Sequence, residues 1–237
     1  MTQELAATDA YVYECDATVL AVDDEGVVLD RTVFHARGGG QPGDTGALTW
    51  DAGRVRVSDA VRRHADVLHV VSGDAPAVGT RLRALIDRDR RHLLMRTHTA
   101  LHALSAVVFR DHDAKVTGGN MEPGVARMDF ELETISAGFG HQVEARLNEE
   151  LSRDRIVRVE FLPRAEALAD ADLIRTKVSL IPEHVDPIRV IDIEGLDRQA
   201  DGGTHVRSTA EVGVVRVVKT ESKGKGFKRM RIELVDR

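Results

Sequence analysis

The sequence predicts an α+β protein: a small N-terminal β-barrel followed by an α+β half. Three observations carry that reading. Short β-branched runs separated by turn residues fill the chain to about residue 82, helical periodicity takes over near Asp87, and strands return after residue 156.

In the first part, Tyr11–Tyr13, Thr18–Val22, Val27–Leu29 and Val67–Val71 read as strands. Asp24–Gly26, Asp51–Gly53 and Ser72–Asp74 supply turns between such runs. Several short strands at this spacing suggest a small barrel. Leu93, Leu94, Leu101, Leu104 and Val108 then recur at helical intervals, which predicts a long helix over about 87–110. A second helix is expected over 137–152, where Phe139, Val143, Leu147 and Leu151 lie four apart, with Thr134 or Ser136 as its cap. A short helix is expected at 164–171, and strands at 156–161, 187–193, 212–219 and 227–235. The domain boundary is placed at about 85, giving domains 1–85 and 86–237.

Composition narrows the function classes. Apolar residues at 42% and charged residues at 30% match an ordinary soluble globular protein. No apolar run approaches the roughly 18–20 residues that span a bilayer. Met1-Thr2-Gln3-Glu4 lacks the basic start and apolar core of a signal peptide, so no membrane partner is expected and the cytoplasm is the expected location. Cys15 is the only cysteine, which excludes an internal disulfide and a CxxC zinc site; it reads as a small buried apolar residue. A net charge of −6 argues against a general nucleic-acid binder, yet basic residues cluster. One cluster is Arg81, Arg83, Arg88, Arg90, Arg91 and Arg96; the other runs from Arg216 to Arg231. Each is either a solvated face or a phosphate contact.

Three motifs carry chemistry. His98-Thr99-Ala100-Leu101-His102 puts two imidazoles at i and i+4, on one helix face, where they can share a metal ion. Thr99 stands where a zincin has its general-base glutamate, which disfavours a metalloprotease. Asp201-Gly202-Gly203-Thr204-His205 pairs a carboxylate and an imidazole across a Gly-Gly turn. Together the four side chains offer three nitrogens and one oxygen, a set that suits zinc. If Asp201 stays off the ion, three histidines and a water remain. Phe34-His35-Ala36-Arg37-Gly38-Gly39-Gly40-Gln41-Pro42-Gly43-Asp44-Thr45-Gly46 is neither GxGxxG before a helix nor GxxxxGK[ST], so ATP is not an expected ligand.

In this order the motifs resemble the freestanding alanyl-tRNA editing proteins, relatives of the editing domain of alanyl-tRNA synthetase. The likeness adds Val116-Thr117-Gly118-Gly119 leading to Ala126–Phe130, the run Gln199–Val206, and the basic ending Ser222–Arg231. It spans nearly the whole chain. It implies a β-barrel joined to an α+β editing domain of the alanyl/threonyl type, and hydrolysis of serine or glycine wrongly esterified to alanine tRNA. The family's HxxxH and CxxxH ligands fall on His98, His102, Asp201 and His205. Aspartate, the harder ligand, therefore stands where the family usually has cysteine, which leaves a zinc site weaker. The resemblance also implies a pocket residue at Thr117, substrate contacts from Gly39, Gly40, Gln41, Gly202 and Gly203, and a catalytic part for His98, His102 and Thr117. Lys223, Lys225, Lys228 and Arg229 are the implied contacts to the acceptor stem. The rival readings are a metal-dependent hydrolase of small esters or amides, a tRNA-binding module without activity, and an editing domain of the threonyl type. The Gly-rich segment and basic ending favour the alanyl type.

Overall fold

β1 (Gln3–Glu4), β2 (Glu14–Asp23), β3 (Gly26–Leu29), β4 (Arg31–Thr32), β5 (Gly46–Trp50), β6 (Gly53–Arg63), β7 (Asp66–Ser72) and β8 (Arg81–Ile86) make up the first part of the chain in this computed structural model. Six of them close into a barrel in the order β2-β3-β7-β6-β5-β8, while β1 pairs in parallel with β4. Closure removes the exposed sheet edges on which another chain could pair. Inward positions such as Val19, Leu29, Phe34, Leu48, Val57 and Val67 fill the interior. The residues described are 1–136, 138–170, 173 and 185–235, and the chain divides into the units Met1–Met95 and Arg96–Arg237.

The run Tyr11–Tyr13 leaves a turn at Tyr11 and continues as irregular backbone to β2, and is not the expected strand. Its side chains are used differently: the Arg88 guanidinium lies 5.0 Å from the centre of the Tyr13 ring, and Tyr11 meets Tyr13 and His92 edge to face. Cys15 is half-buried beside the barrel core, and burial raises its thiol pKa.

The Gly-rich segment is tied to the barrel. Gly39 and Gly40 have φ of 58° and 84°, a left-handed turn that returns the chain so that Gly38 and Gln41 exchange backbone hydrogen bonds. At Gly43 a Cβ would lie 2.3 Å from the Ala60 carbonyl oxygen, so only glycine lets the segment approach β6 this closely. Arg37 N–H donates to that same carbonyl at 2.8 Å.

Asp44, at the end of the segment, is buried and accepts from the His35 N–H and from the buried Arg91 guanidinium. Arg91 also donates to the carbonyls of Val33 (2.7 Å) and Ala10 (3.0 Å). One fully enclosed cation thus ties three separate stretches of the first unit together.

His69 is fully buried on β7, with Nδ1 donating to the Val27 carbonyl (2.9 Å) and Nε2 accepting from the Thr32 hydroxyl (2.7 Å). Burial drives its pKa down to about 4, against the pull of the Val27 carbonyl. The unfolded chain takes up this proton near the ordinary histidine value of about 6.5 and the native barrel only near 4. Between those values the unfolded state binds more protons, so stability falls as pH is lowered through the window, by up to about 3 kcal/mol. Denaturant titrations from pH 7 to 4 should show this loss, and His69→Gln should flatten it.

The second unit follows. α1 (Arg88–His112) carries the division between the units within its length. Asp87 caps it, accepting from the Arg90 N–H at 3.1 Å. From Leu94 to Val108 almost every side chain is buried, polar ones included. β9 (Val116–Glu122) and β10 (Val125–Glu131) form a hairpin that sequence periodicity leaves unassigned. α2 (Phe139–Leu151) buries Phe139, Val143, Leu147 and Leu151, the stripe expected of it. Its cap differs from expectation: Gly138 occupies the N-cap with φ of 83°, and no side chain caps it. Ser136 contributes its carbonyl, which accepts from the Phe139 N–H, while Thr134 makes no cap. Ala137, the start of the predicted helix, lies outside the described residues.

β11 (Val157–Leu162), α3 (Arg164–Ala169), β12 (Ile188–Ile193), β13 (Asp197–Ala200), β14 (Val214–Ser222) and β15 (Phe227–Val235) complete the unit. Residue 171, the end of the predicted short helix, lies outside the described residues. The strands form two sheets, β14-β15-β10-β9 and β11-β12-β13. α2 packs on the first sheet, where its Asn148 amide bonds both the N–H and the carbonyl of Val215.

Candidate metal centre

His98 and His102 face the same way from α1, one turn apart, and both are buried. Opposite them runs β13 and the loop after it. Asp197, Gln199 and Asp201 fall at i, i+2 and i+4 of this extended stretch, so all three project to one face. The pairing of β12 with β13 continues one step further: Asp201 N–H donates to the Arg189 carbonyl (3.2 Å), and Arg189 Nη1 donates to the Asp201 carbonyl (2.8 Å). The backbone of Asp201 is therefore pinned on both sides. The loop then brings His205 back beneath α1, where its ring stacks on His98 with centroids 4.4 Å apart.

The four expected ligands meet. One donor atom from each of His98, His102, Asp201 and His205 lies within 4.8 Å of every other. His205 Nε2 is 3.0 Å from Asp201 Oδ2 and His98 Nε2 is 3.6 Å from Asp201 Oδ1. A tetrahedral zinc with bonds of about 2.0–2.1 Å spaces its ligands about 3.4 Å apart, so the cluster needs only a small contraction to hold such an ion.

The second nitrogens of two rings are also engaged, as metal-binding histidines require. His102 Nδ1 donates to Asp197 Oδ2 at 2.9 Å, and His205 Nδ1 lies 3.1 Å from the Thr99 hydroxyl. Thr99, which stands in the zincin glutamate position, therefore orients a ligand here; its oxygen also accepts from the Val206 N–H. The donor set and its outer partners fit a divalent cation.

Electrostatics favour a charged carboxylate. Burial alone would raise the Asp201 pKa, but the His98 and His205 rings around it hold it well below the usual range. Burial drives His205 down to about 4, so it is neutral at pH 7 and ready to coordinate. At His102 burial pulls the same way, yet the hydrogen bond and charge of Asp197 raise the pKa above normal. Protons therefore compete with a cation for His102, and cation binding strengthens as pH rises through its titration.

Neither Gly202 nor Gly203 has a positive φ, so the Gly-Gly pair is not a left-handed turn. Its contribution is different: Gly203 N–H donates to Asp201 Oδ2 at 2.6 Å. Thr117 is exposed on β9, the extra residue where the register slips opposite Asp129 and Phe130, and is not one of the four clustered side chains. Gly39, Gly40 and Gln41 belong to the barrel unit, with Gln41 buried.

The basic ending splits by strand alternation. Lys223 and Lys225 are exposed on the β14–β15 hairpin, whereas Lys228 faces the core side of β15 and is buried. Arg229 faces outward but is held by Asp129 at 2.6 and 2.7 Å. The other arginine cluster is mostly committed within the protein: Arg83 to Glu14, Arg90 to the Gly43 carbonyl, Arg91 to Asp44 and Arg96 to the Val212 carbonyl.

Sequence reasoning assigned no role to Asp197, Gln199 or Arg189. The first two were detectable as the D-x-Q-x-D alternation that ends in a ligand.

The chain is similar to known proteins along its whole length. Residues 6–90 match the family model described as tRNA synthetases class II (A), and residues 188–231 match the Threonyl and Alanyl tRNA synthetase second additional domain. An alanyl-tRNA editing protein AlaX-M from Saccharolobus solfataricus is 36% identical, over 97% of this chain and 98% of its own. The chain belongs to the AlaX-M alanyl-tRNA editing family. An AlaX-M from Methanosarcina barkeri is 34% identical over the whole of both chains. An alanine–tRNA ligase from Pyrobaculum calidifontis is 36% identical over 93% of this chain, which spans 25% of the ligase. Family membership therefore rests on relatives of the same length, and the likeness to ligases covers a quarter of them.

Proposed function

We propose that this chain is a trans-editing aminoacyl-tRNA deacylase, cleaving serine or glycine from mischarged alanine tRNA. The buried cluster of His98, His102, Asp201 and His205, in a chain that is 36% identical to an AlaX-M over 97% of its residues, is the observation that carries this reading. The reaction is hydrolysis: water adds to the ester carbonyl carbon, the bond to the terminal ribose oxygen breaks, and a free amino acid leaves. An activated ester needs a positioned water and stabilisation of the developing oxyanion.

The four side chains would hold one zinc ion. Such an ion supplies Lewis-acid polarisation of a carbonyl or of a water. The protein's own groups do the rest. Asp197 and Thr99 fix the His102 and His205 rings, and Gly203 N–H and the Arg189 contacts fix Asp201. Burial of the cluster lowers the local dielectric, which strengthens the interactions among its charged and polar groups. Thr117 remains the candidate for sensing the amino acid, its hydroxyl suited to a serine side chain. The cytoplasm, where charged tRNA is used, is the matching location. The reading is tested by following ester loss from seryl-tRNA(Ala) and glycyl-tRNA(Ala) with and without the protein; rates equal to buffer would refute it.

For tRNA binding the exposed Lys223 and Lys225 at the hairpin tip are the candidates. Each phosphate neutralised by a lysine releases counterions, so Lys223→Ala with Lys225→Ala should lower the slope of log affinity against log salt by about 1 for each phosphate no longer neutralised. Lys228→Ala should leave that slope unchanged and lower stability instead, because its side chain is buried.

A further inference from the structure

Asp197 is fully buried in its side chain and sits at the start of β13, four residues before the ligand Asp201. Its Oδ2 accepts from His102 Nδ1 at 2.9 Å. A carboxylate can only accept, so a ring proton must lie on Nδ1, and in the neutral imidazole the Nε2 lone pair is the one left for a cation. Gln199, two residues on and on the same face, donates its amide to both carboxylate oxygens at 3.0 and 2.8 Å. The carboxylate is thus clamped from one side and holds the imidazole on the other.

We propose that Asp197, clamped by Gln199, is the positioning residue that sets the tautomer and ring plane of His102 for a divalent cation. This rests on the metal reading of the four-residue cluster. It makes β13 and its loop a single device: residues 197–205 supply two ligands, Asp201 and His205, and also the carboxylate that aims a third from α1. Asp197 touches neither the ion nor the substrate; it acts through His102.

Co2+ is the probe. Metal-stripped full-length protein is titrated with Co2+ alone, reading the visible ligand-field bands and competition with a chelator. Removing an outer carboxylate partner of a metal-binding histidine lowers affinity by about 10–100-fold, and Asp197→Ala should do so. Asp197→Asn, whose amide oxygen still accepts from Nδ1, should lose less, and Gln199→Ala less again. The melting temperature of metal-free protein separates this from a structural role. Positioning predicts a shrunken Co2+-induced rise in melting temperature, beyond any change in the metal-free value. Should Asp197→Ala fail to fold, Asp197→Asn decides by the same titration. Wild type that binds Co2+ and loses it in His98→Ala, with Asp197 variants binding as tightly as wild type, overturns this inference and leaves the metal reading intact. Wild type that binds no Co2+ overturns both.

Discussion

Replacing His102 or Asp201 by alanine should strip the protein of bound metal and of deacylase activity together. Loss of an outer partner of a metal ligand already costs about 10–100-fold in affinity, so loss of a ligand itself should exceed the upper end of that range. The two substitutions should not be equal in their side effects. His102→Ala leaves the buried Asp197 carboxylate without its imidazole donor, and Asp201→Ala removes the hydrogen-bond partner of Gly203 N–H and His205. Asp201→Cys should act in the opposite sense, retaining zinc through a mild chelation that empties the wild type, because thiolate is the softer ligand. Elemental analysis after graded chelation checks all three. If Asp201→Ala holds zinc as well as wild type does, the centre is three histidines with an open position.

Arg91→Met should be among the most destabilising single changes in the first unit. The guanidinium is fully enclosed and its carboxylate partner Asp44 is 2% exposed. Removing it leaves a buried charge unpaired, which costs about 3–5 kcal/mol. For a unit of this size that is a fall in melting temperature of about 12 °C or more. The double variant Arg91→Met with Asp44→Leu should recover most of the loss, since a buried ion pair replaced on both sides by apolar groups is often close to neutral. Thermal melts of the three proteins decide it; a double variant as unstable as Arg91→Met would show that the lost hydrogen bonds, to the Val33 and Ala10 carbonyls and from the His35 N–H, and not the unpaired charge, set the cost.

What could be read from the sequence followed from which forces are local. α1 was legible because its leucines repeat at the helical period, and α2 because Phe139, Val143, Leu147 and Leu151 fall four apart. His98 with His102, and Asp201 with His205, were legible because a ligand pair at i and i+4 is itself a local signal. The barrel was legible as a class but not strand by strand. β6 reads Arg54-Val55-Arg56-Val57 and then slips at a bulge near Ser58, which breaks the alternation that marks a strand. β9 carries Gly118 and Gly119, which weaken any strand signal, and its pairing with β10 is set by long-range partners.

The outer layer of the metal centre was hidden for a related reason. Asp197 looks like any surface aspartate until β13 is laid against α1, and Thr99 looks like an ordinary helix residue until His205 arrives from a loop 106 residues away. Arg91 reads as one of six clustered arginines, and only the closed barrel makes it the buried partner of Asp44. Lys228 and Arg229 looked equally available in the basic run; strand alternation buries one and an ion pair to Asp129 engages the other.

Editing of mischarged alanine tRNA at the buried centre is the proposed activity. It is tested most directly by the deacylation rates of seryl-, glycyl- and alanyl-tRNA(Ala), measured side by side with zinc-loaded wild type and with His98→Ala. Wild type should release serine or glycine rapidly and alanine slowly, and His98→Ala should give no acceleration over buffer. Rates equal to buffer on all three substrates, with tRNA still bound, would contradict it and leave a tRNA-binding module without catalysis.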